Sequence, residues 1–204
     1  SSDLLGVQCV PLPTAVLTGQ TGYPFFHCTD LTDMMPLYIE AWKENHVHFD
    51  AIYSGYTTGY AQIIHVLNFI DAFYAGDTLL LVDPVMGDDG RTYGMFSSEL
   101  LDGMRQLSRR ADLITPNLTE ACLLTGTDTD RVFSNADDGE LLEMASEIAL
   151  KLREQATHPQ DIIITGIKCR KNIPAIYNIA IGEGISHEPY ISSSPLIDCS
   201  FSGT

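Results

Sequence analysis

A chain of 204 residues with 45% hydrophobic residues can bury the core of one domain. Its formal net charge of −16 repels nucleic acid and anionic lipid, and it has no apolar run of about eighteen residues, so we expect no nucleic-acid partner and no membrane span. The five scattered cysteines form no CxxC pair, which argues against a disulfide framework or a zinc site and favours a cytoplasmic location.

Apolar runs typical of β-strands alternate with longer helical patterns along the chain. In chain order, the predicted elements are strand 6–12, helix 31–46, strand 49–55, helix 58–76, strand 78–84, helix 96–108, strand 111–115, helix 117–126, helix 137–155, strand 161–166 and an antiparallel strand pair over 174–192. Continuous apolar strands separated by helices predict an α/β fold, with a mostly parallel sheet and helices on both faces. In such sheets, ligands bind at the carboxyl ends of the strands.

Polar side chains and glycines follow four of these predicted strands. The candidates are Tyr56; Asp83 and Asp88; Thr115, Asn117 and Glu120; and Thr165 and Gly166. Carboxylates gathered with hydroxyls and glycines indicate oxygen ligation of Mg²⁺ next to phosphate. The sequence contains neither GxxxxGK[ST] nor GxGxxG, so a nucleotide would have to be bound in another way.

Several of these residues have a purely structural alternative. Asp89-Gly90 is typical of turn chemistry, and the spacing of Asn117 and Glu120 matches a helix cap with a reciprocal acidic residue. Both capping and function remain open for Glu120. The HxH pair of His46 and His48 lacks a third ligand in the sequence, which favours a solvated loop over a metal site.

Three motifs occur in a characteristic order: "VDPVMGDDGRTY" at 82–93, "DLITPNLTEACLLTG" at 112–126 and "SFSGT" at 200–204. Together with "PLPTAVLTGQTGY" at 11–23 and "SGY" at 54–56, they closely resemble the pyridoxal (vitamin B6) kinases of the ribokinase-like superfamily. The resemblance implies one ribokinase-like domain over 1–204, built as a three-layer sandwich and incomplete at both ends. It also implies a homodimer that phosphorylates the 5′-hydroxymethyl group of a B6 vitamer with ATP and Mg²⁺, and it leaves room for a monovalent cation.

The resemblance further implies roles for individual residues. Asp83 and Glu120 would hold Mg²⁺, and Thr21 and Tyr56 would border the pyridine ring. The residues implied to contact ATP and its metal are Asp83, Asp88, Thr115, Asn117, Glu120, Thr165 and Gly166. Ser202, Gly203 and Thr204 would begin an anion hole at a helix N-terminus. The family's general-base aspartate would follow just after Thr204, so we expect the chain as given to be inactive.

Gln20 departs from the family pattern, which has a histidine just before the Thr-Gly pair. The main alternative is a hydroxymethylpyrimidine (phosphate) kinase of the same superfamily, which shares the "DPVM" and "TPNxxEA" motifs. A sugar kinase, a non-catalytic nucleotide- or small-molecule-binding domain and a flavodoxin-like module are further alternatives.

Overall fold

A computed structural model of the chain describes residues 6–19, 24–134, 137–169 and 174–196. The strands are β1 Ala15–Leu17, β2 Cys28–Asp30, β3 Ala51–Ser54, β4 Leu79–Val82, β5 Gly87–Asp88, β6 Arg91–Thr92, β7 Leu113–Ile114, β8 Asp161–Cys169, β9 Ala175–Gly182 and β10 Ser186–Pro195. The helices are α1 Met35–Glu44, α2 Tyr60–Phe73, α3 Ser98–Arg110, α4 Leu118–Thr125, α5 Thr129–Phe133 and α6 Asp138–Gln155.

The central sheet has six strands in the order β10-β9-β8-β7-β4-β3. The pairs from β3 to β8 are parallel, whereas β8 with β9 and β9 with β10 are antiparallel. The two remaining strand pairs, β1 with β2 and β5 with β6, are small antiparallel hairpins outside this sheet. The predicted α/β fold, with its mostly parallel sheet and C-terminal antiparallel pair, is confirmed.

The core lies between the sheet and the helices. Alternate strand residues are buried in it, namely Ile52, Leu80, Val82, Ile114, Ile162 and Ile164. They share one hydrophobic cluster with Ile63 and Ile70 of α2 and with Leu100 and Met104 of α3. The helices pack on one another in a row, α1 on α2, α2 on α3 and α3 on α4, and α4 also packs on α6. This packing fixes the strand ends that carry the candidate site residues.

Local sequence signals explain where several helices begin and end. Pro36 occupies the first turn of α1, where its missing N–H costs no hydrogen bond. Ser97 caps α3 by accepting a hydrogen bond from the backbone N–H of Leu100. Gly126 ends α4 with a φ of 70°, a left-handed conformation that glycine adopts without strain.

One predicted strand is wrong, and three short features were not predicted: the β1–β2 hairpin, the β5–β6 hairpin and α5. Residues 7–14 form no strand, because Pro11 and Pro13 cannot donate backbone hydrogen bonds, and β1 starts only at Ala15. The β5–β6 hairpin and α5 are too short to produce a recognisable hydrophobic period. Within the described ranges, no helix has both the length and the apolar content that crossing a membrane requires.

Candidate active site

Three parallel strands bring the predicted carboxylate, amide and hydroxyl groups to one edge of the sheet. The backbone N–H of Asp83, just after β4, donates to the carbonyl of Ser54 at 2.8 Å. The N–H of Thr115, just after β7, donates to the carbonyl of Val82 at 3.1 Å. Thr165 in β8 bridges to Asn117 in parallel register. The carboxyl ends of β4 and β7 therefore meet the middle of β8 where α4 begins. The strand that we predicted to end near Thr165 continues to Cys169, with an irregular register between Ile164 and Ile167.

Asn117 and Glu120 form a capping box at the start of α4. The Asn117 Oδ1 accepts a hydrogen bond from the N–H of Glu120 at 3.0 Å, and the Glu120 Oε2 accepts one from the N–H of Asn117 at 2.8 Å. Two N–H groups that a helix start leaves without intrahelical partners are thereby satisfied. The capping interpretation of Glu120 is confirmed.

Glu120 is also the most buried carboxylate among the described residues, with a side chain only 3% exposed. Its second oxygen, Oε1, accepts a hydrogen bond from the N–H of Met86 at 3.1 Å. Burial raises the pKa of Glu120 to about 7, although the hydrogen bonds from Asn117 and Met86 oppose this shift and the charge of Asp83 adds to it. A carboxyl group with this pKa changes its charge near neutral pH.

Asp83 lies half-buried beside Glu120. Burial raises the pKa of Asp83, and a hydrogen bond from the Tyr53 hydroxyl to its Oδ2, at 3.3 Å, lowers it in part. The two carboxyl groups interact electrostatically, since the charge of Asp83 helps to raise the pKa of Glu120. A cation bound near these two carboxyl groups would stabilise their charged forms, which burial disfavours.

The β5–β6 hairpin is held against the start of α4 by two hydrogen bonds. The Asn117 Nδ2 donates to the carbonyl of Gly87 at 2.7 Å, and the N–H of Gly90 donates to the Thr119 hydroxyl at 2.8 Å. Gly87 must be glycine, because a Cβ there would lie 2.2 Å from the carbonyl oxygen of Arg91. The hairpin thus positions Asp88 and its neighbours over the end of the sheet.

A cavity of about 400 Å³ opens beside this hairpin. Three of the predicted nucleotide residues, Asp88, Asn117 and Gly166, line it. Gly166 has a φ of 71°, and its N–H donates to the Asn178 side chain at 3.1 Å. The cavity connects the start of α4 with β8 and is large enough to take part of a nucleotide.

The chain is similar to several known proteins. A Schizosaccharomyces pombe protein, provisionally named a pyridoxal kinase, is 25% identical over 99% of this chain and 62% of its own length. A solved Bacteroides thetaiotaomicron structure, provisionally named a phosphomethylpyrimidine kinase, is 36% identical with a TM-score of 0.79, and the match covers 94% of this chain and 62% of that one. A second crystal form of that protein contains pyridoxal.

The resemblance to pyridoxal kinases of the ribokinase-like superfamily is confirmed. The Leishmania donovani pyridoxal kinase, solved with ADP and pyridoxine, is 25% identical with a TM-score of 0.68, and the match covers 90% of this chain and 60% of that one. No protein-family model matches the chain. The chain spans less than two thirds of the length of each of these relatives.

Some residues predicted from the pyridoxal kinase resemblance lie elsewhere or cannot be placed. Tyr56 lines a separate apolar groove of about 420 Å³ next to β3. The Thr14 hydroxyl, just before β1, donates to the backbone carbonyl of Tyr56 at 3.1 Å. Burial raises the pKa of the Tyr56 hydroxyl, and the charges of Cys28 and Asp30 add to this shift. Thr21 and the 202–204 segment, with Gly203 and Thr204, lie outside the described residues.

The sequence analysis missed two residues that the structure brings to the site. The backbone N–H of Tyr93 donates to the carbonyl of Met86 at 2.9 Å, beside the β5–β6 hairpin. Burial raises the pKa of the Tyr93 hydroxyl, and the negative charges of Asp88, Glu120, Asp83 and Asp89 add to this effect. Tyr93 stands within the quoted 82–93 motif, which could have drawn attention to it. Lys168 also lines the cavity, but no motif marks it.

The residues present fit a magnesium ion that is shared with phosphate oxygens. In the part of the chain that the structure describes, no three His, Cys, Asp or Glu side chains converge on one point. Mg²⁺ commonly binds through one or two carboxylates, with water and substrate phosphates completing its shell. Asp83 could ligate such an ion directly. Glu120, whose two oxygens each already accept a backbone hydrogen bond, is better suited to act through water.

Proposed function

We propose that the protein transfers a phosphoryl group from ATP to the 5′-hydroxymethyl group of pyridoxal, pyridoxine or pyridoxamine. The observation that carries this proposal is the arrangement at the start of α4. There the buried Glu120 is hydrogen-bonded to Met86 of the loop that follows Asp83, beside a cavity lined by Asn117 and Gly166. The Leishmania donovani relative, solved with ADP and pyridoxine, supports a nucleotide and a B6 vitamer as the two ligands.

In this proposal the protein aligns the reactants and stabilises charge, as phosphoryl transfer requires. Mg²⁺, when bound, would neutralise charge on the phosphate oxygens. Asp83 and Glu120 would hold that ion, and Asp88, Thr115, Asn117, Thr165 and Gly166 would border the nucleotide phosphates. Tyr56 and Thr21 would border the pyridine ring.

Acceptance of the proton from the hydroxymethyl group requires a further base. Glu120 has a pKa of about 7, but its hydrogen bonds to Asn117 and Met86 hold it in the helix cap. The family resemblance instead assigns this role to an aspartate that would follow Thr204. We therefore propose that Gly203 and Thr204 begin the anion hole, and that the chain as given binds nucleotide without efficient turnover.

The test is an assay with MgATP and each of four acceptors: pyridoxal, pyridoxine, pyridoxamine and hydroxymethylpyrimidine. It is run on the 204-residue chain and on the longest natural form of the protein. Phosphorylation of a B6 vitamer by the longer form is the expected result. If no form binds ADP, or if no acceptor is phosphorylated although ADP binds, the kinase assignment is wrong.

Hydroxymethylpyrimidine (phosphate) kinase is the second candidate. The Bacteroides thetaiotaomicron protein favours it by its provisional name and its 36% identity, although the same protein was crystallised with pyridoxal. Turnover of the pyrimidine alone would replace our substrate assignment. From the pyridoxal kinase resemblance we also propose a homodimer, and from the scattered cysteines a cytoplasmic location. Sedimentation of the purified protein and fractionation of cells would check these two proposals.

A further inference from the structure

The cavity beside the β5–β6 hairpin has an unfavourable charge for a nucleotide. Three aspartates line it, Asp88, Asp89 and Asp138, and among its described lining residues Lys168 alone is cationic. Arg170 and Lys171 lie outside the described residues. A polyphosphate entering such a cavity needs positive charge beyond what Mg²⁺ supplies. The position of Lys168 therefore matters for the proposed nucleotide site, on which this inference rests.

Lys168 is held by a carboxylate across the mouth of the cavity. Its Nζ lies 2.9 Å from Oδ1 and 3.1 Å from Oδ2 of Asp89, which is 79 residues away in the chain. The side chains of Lys168 and Asp89 are 35% and 69% exposed. An ion pair as exposed as this contributes little to stability, so a more highly charged partner can replace the carboxylate.

The backbone positions both groups for such an exchange. Lys168 lies on β8 three residues after Thr165, and Gly166 between them lines the same cavity. Asp89 sits at the turn of the hairpin with a left-handed φ of 47°. The neighbouring Gly90 is tied to Thr119 of α4, so the turn stays beside the cavity. The lysine amine is thus kept near the start of α4, where the predicted phosphate residues converge.

We propose that Lys168 binds a phosphate group of the nucleotide, and that it leaves Asp89 to do so. Asp89 then acts as a stand-in anion that keeps the lysine oriented in the nucleotide-free protein. This arrangement predicts opposite effects for the two partners of one ion pair. Loss of the lysine removes a phosphate ligand, whereas loss of the aspartate charge removes a competitor of the phosphate.

The experiment measures binding of ADP, with Mg²⁺, to the 204-residue chain by titration calorimetry. We expect Lys168→Met to weaken ADP binding about tenfold, as loss of a hydrogen bond to a charged group typically does. We expect Lys168→Arg to retain most of the affinity. Asp89→Asn should tighten ADP binding by about two- to fivefold, since it frees the lysine from a weak competing ion pair.

Two controls separate phosphate binding from a structural role. Lys43→Met changes an exposed lysine of α1 outside this cavity and should leave ADP binding unchanged. Adenosine, which has no phosphate, should bind equally to the wild type and to Lys168→Met. Equal ADP affinity of Lys168→Met and the wild type, or a loss of affinity in Asp89→Asn as well, would overturn the proposal. Failure of the wild type to bind ADP would instead refute the nucleotide site itself.

Discussion

Asn117 and Glu120 cap the first turn of α4 with each other's side chains, at 3.0 and 2.8 Å. The same Glu120 carboxyl group is buried beside Asp83, and its pKa is raised to about 7. One side chain therefore serves both helix stability and site electrostatics. For variants at these two positions, both the free energy of unfolding and the affinity for ADP therefore have to be measured.

The stability of the protein should depend on pH through Glu120. A carboxyl pKa that rises from 4.5 to about 7 on folding means that the folded state holds a proton which the unfolded state has lost. The contribution of protonated Glu120 to stability is complete below pH 4.5 and is lost as the pH rises through 7. Relative to Glu120→Gln, the wild-type free energy of unfolding should fall by on the order of 3 kcal/mol between pH 4 and pH 8.

Urea unfolding of the two proteins at several pH values, in EDTA, measures this difference. Glu120→Gln should come closest to the wild type in stability at low pH, because the neutral amide resembles the protonated carboxyl group, which also keeps only one full acceptor for the two backbone hydrogen bonds. A difference between the two proteins that stays constant from pH 4 to pH 8 would contradict the raised pKa.

Two capping boxes in the described helices provide a matched pair of variants. Asp137 and Glu140 cap α6 with the same reciprocal hydrogen bonds as Asn117 and Glu120 cap α4. Asn117→Ala and Asp137→Ala should each lower the free energy of unfolding by about 1 kcal/mol. Only Asn117→Ala should also weaken ADP binding, because Asn117 lines the cavity and holds Gly87. If both variants bind ADP with equal affinity, Asn117 caps α4 but takes no part in nucleotide binding.

Gly87 should tolerate no side chain. Its Cβ would lie 2.2 Å from the Arg91 carbonyl oxygen, so Gly87→Ala must open the β5–β6 hairpin. We expect a loss of about 1–3 kcal/mol in the free energy of unfolding, measured by urea denaturation. Gly94→Ala is the control, since nothing lies within 4 Å of its Cβ position, and it should change stability by less than about 0.5 kcal/mol. If Gly87→Ala and Gly94→Ala lose similar amounts of unfolding free energy, the β5–β6 hairpin can accommodate a Cβ at position 87.

Asp83→Asn should lower kcat of the active form about a hundredfold, because a neutral amide holds Mg²⁺ poorly. The melting temperature should change little, since the substitution removes a carboxylate whose pKa is raised by burial. Asp77→Asn, at a side chain 78% exposed in the turn before β4, is the control and should keep full activity. An unchanged kcat in Asp83→Asn would exclude Asp83 from the metal site.

Sequence patterns predicted the parts of the site that depend on local order. The apolar run of β4 ends at Asp83, and the Asn117–Glu120 spacing indicates a cap, so both could be placed from neighbouring residues alone. Lys168 could not, because its partner Asp89 is 79 residues away and only the folded sheet brings them together. The prediction of a strand over 6–12 was wrong because it relied on the apolar residues there and gave too little weight to Pro11.

The strand order also determines which strands could pair with an extended segment of another molecule. Among the strands that the structure describes, β10 and β3 lie at the two edges of the central sheet. β10 contains Pro189 and an irregular register between Ser186 and Tyr190, two devices that hinder intermolecular strand addition. β3 pairs in regular register with β4, has no proline, and exposes 68% of Tyr53. Of these two described edge strands, β3 therefore has neither a proline nor a register irregularity to hinder strand addition, and its four-residue length is the feature that limits such pairing.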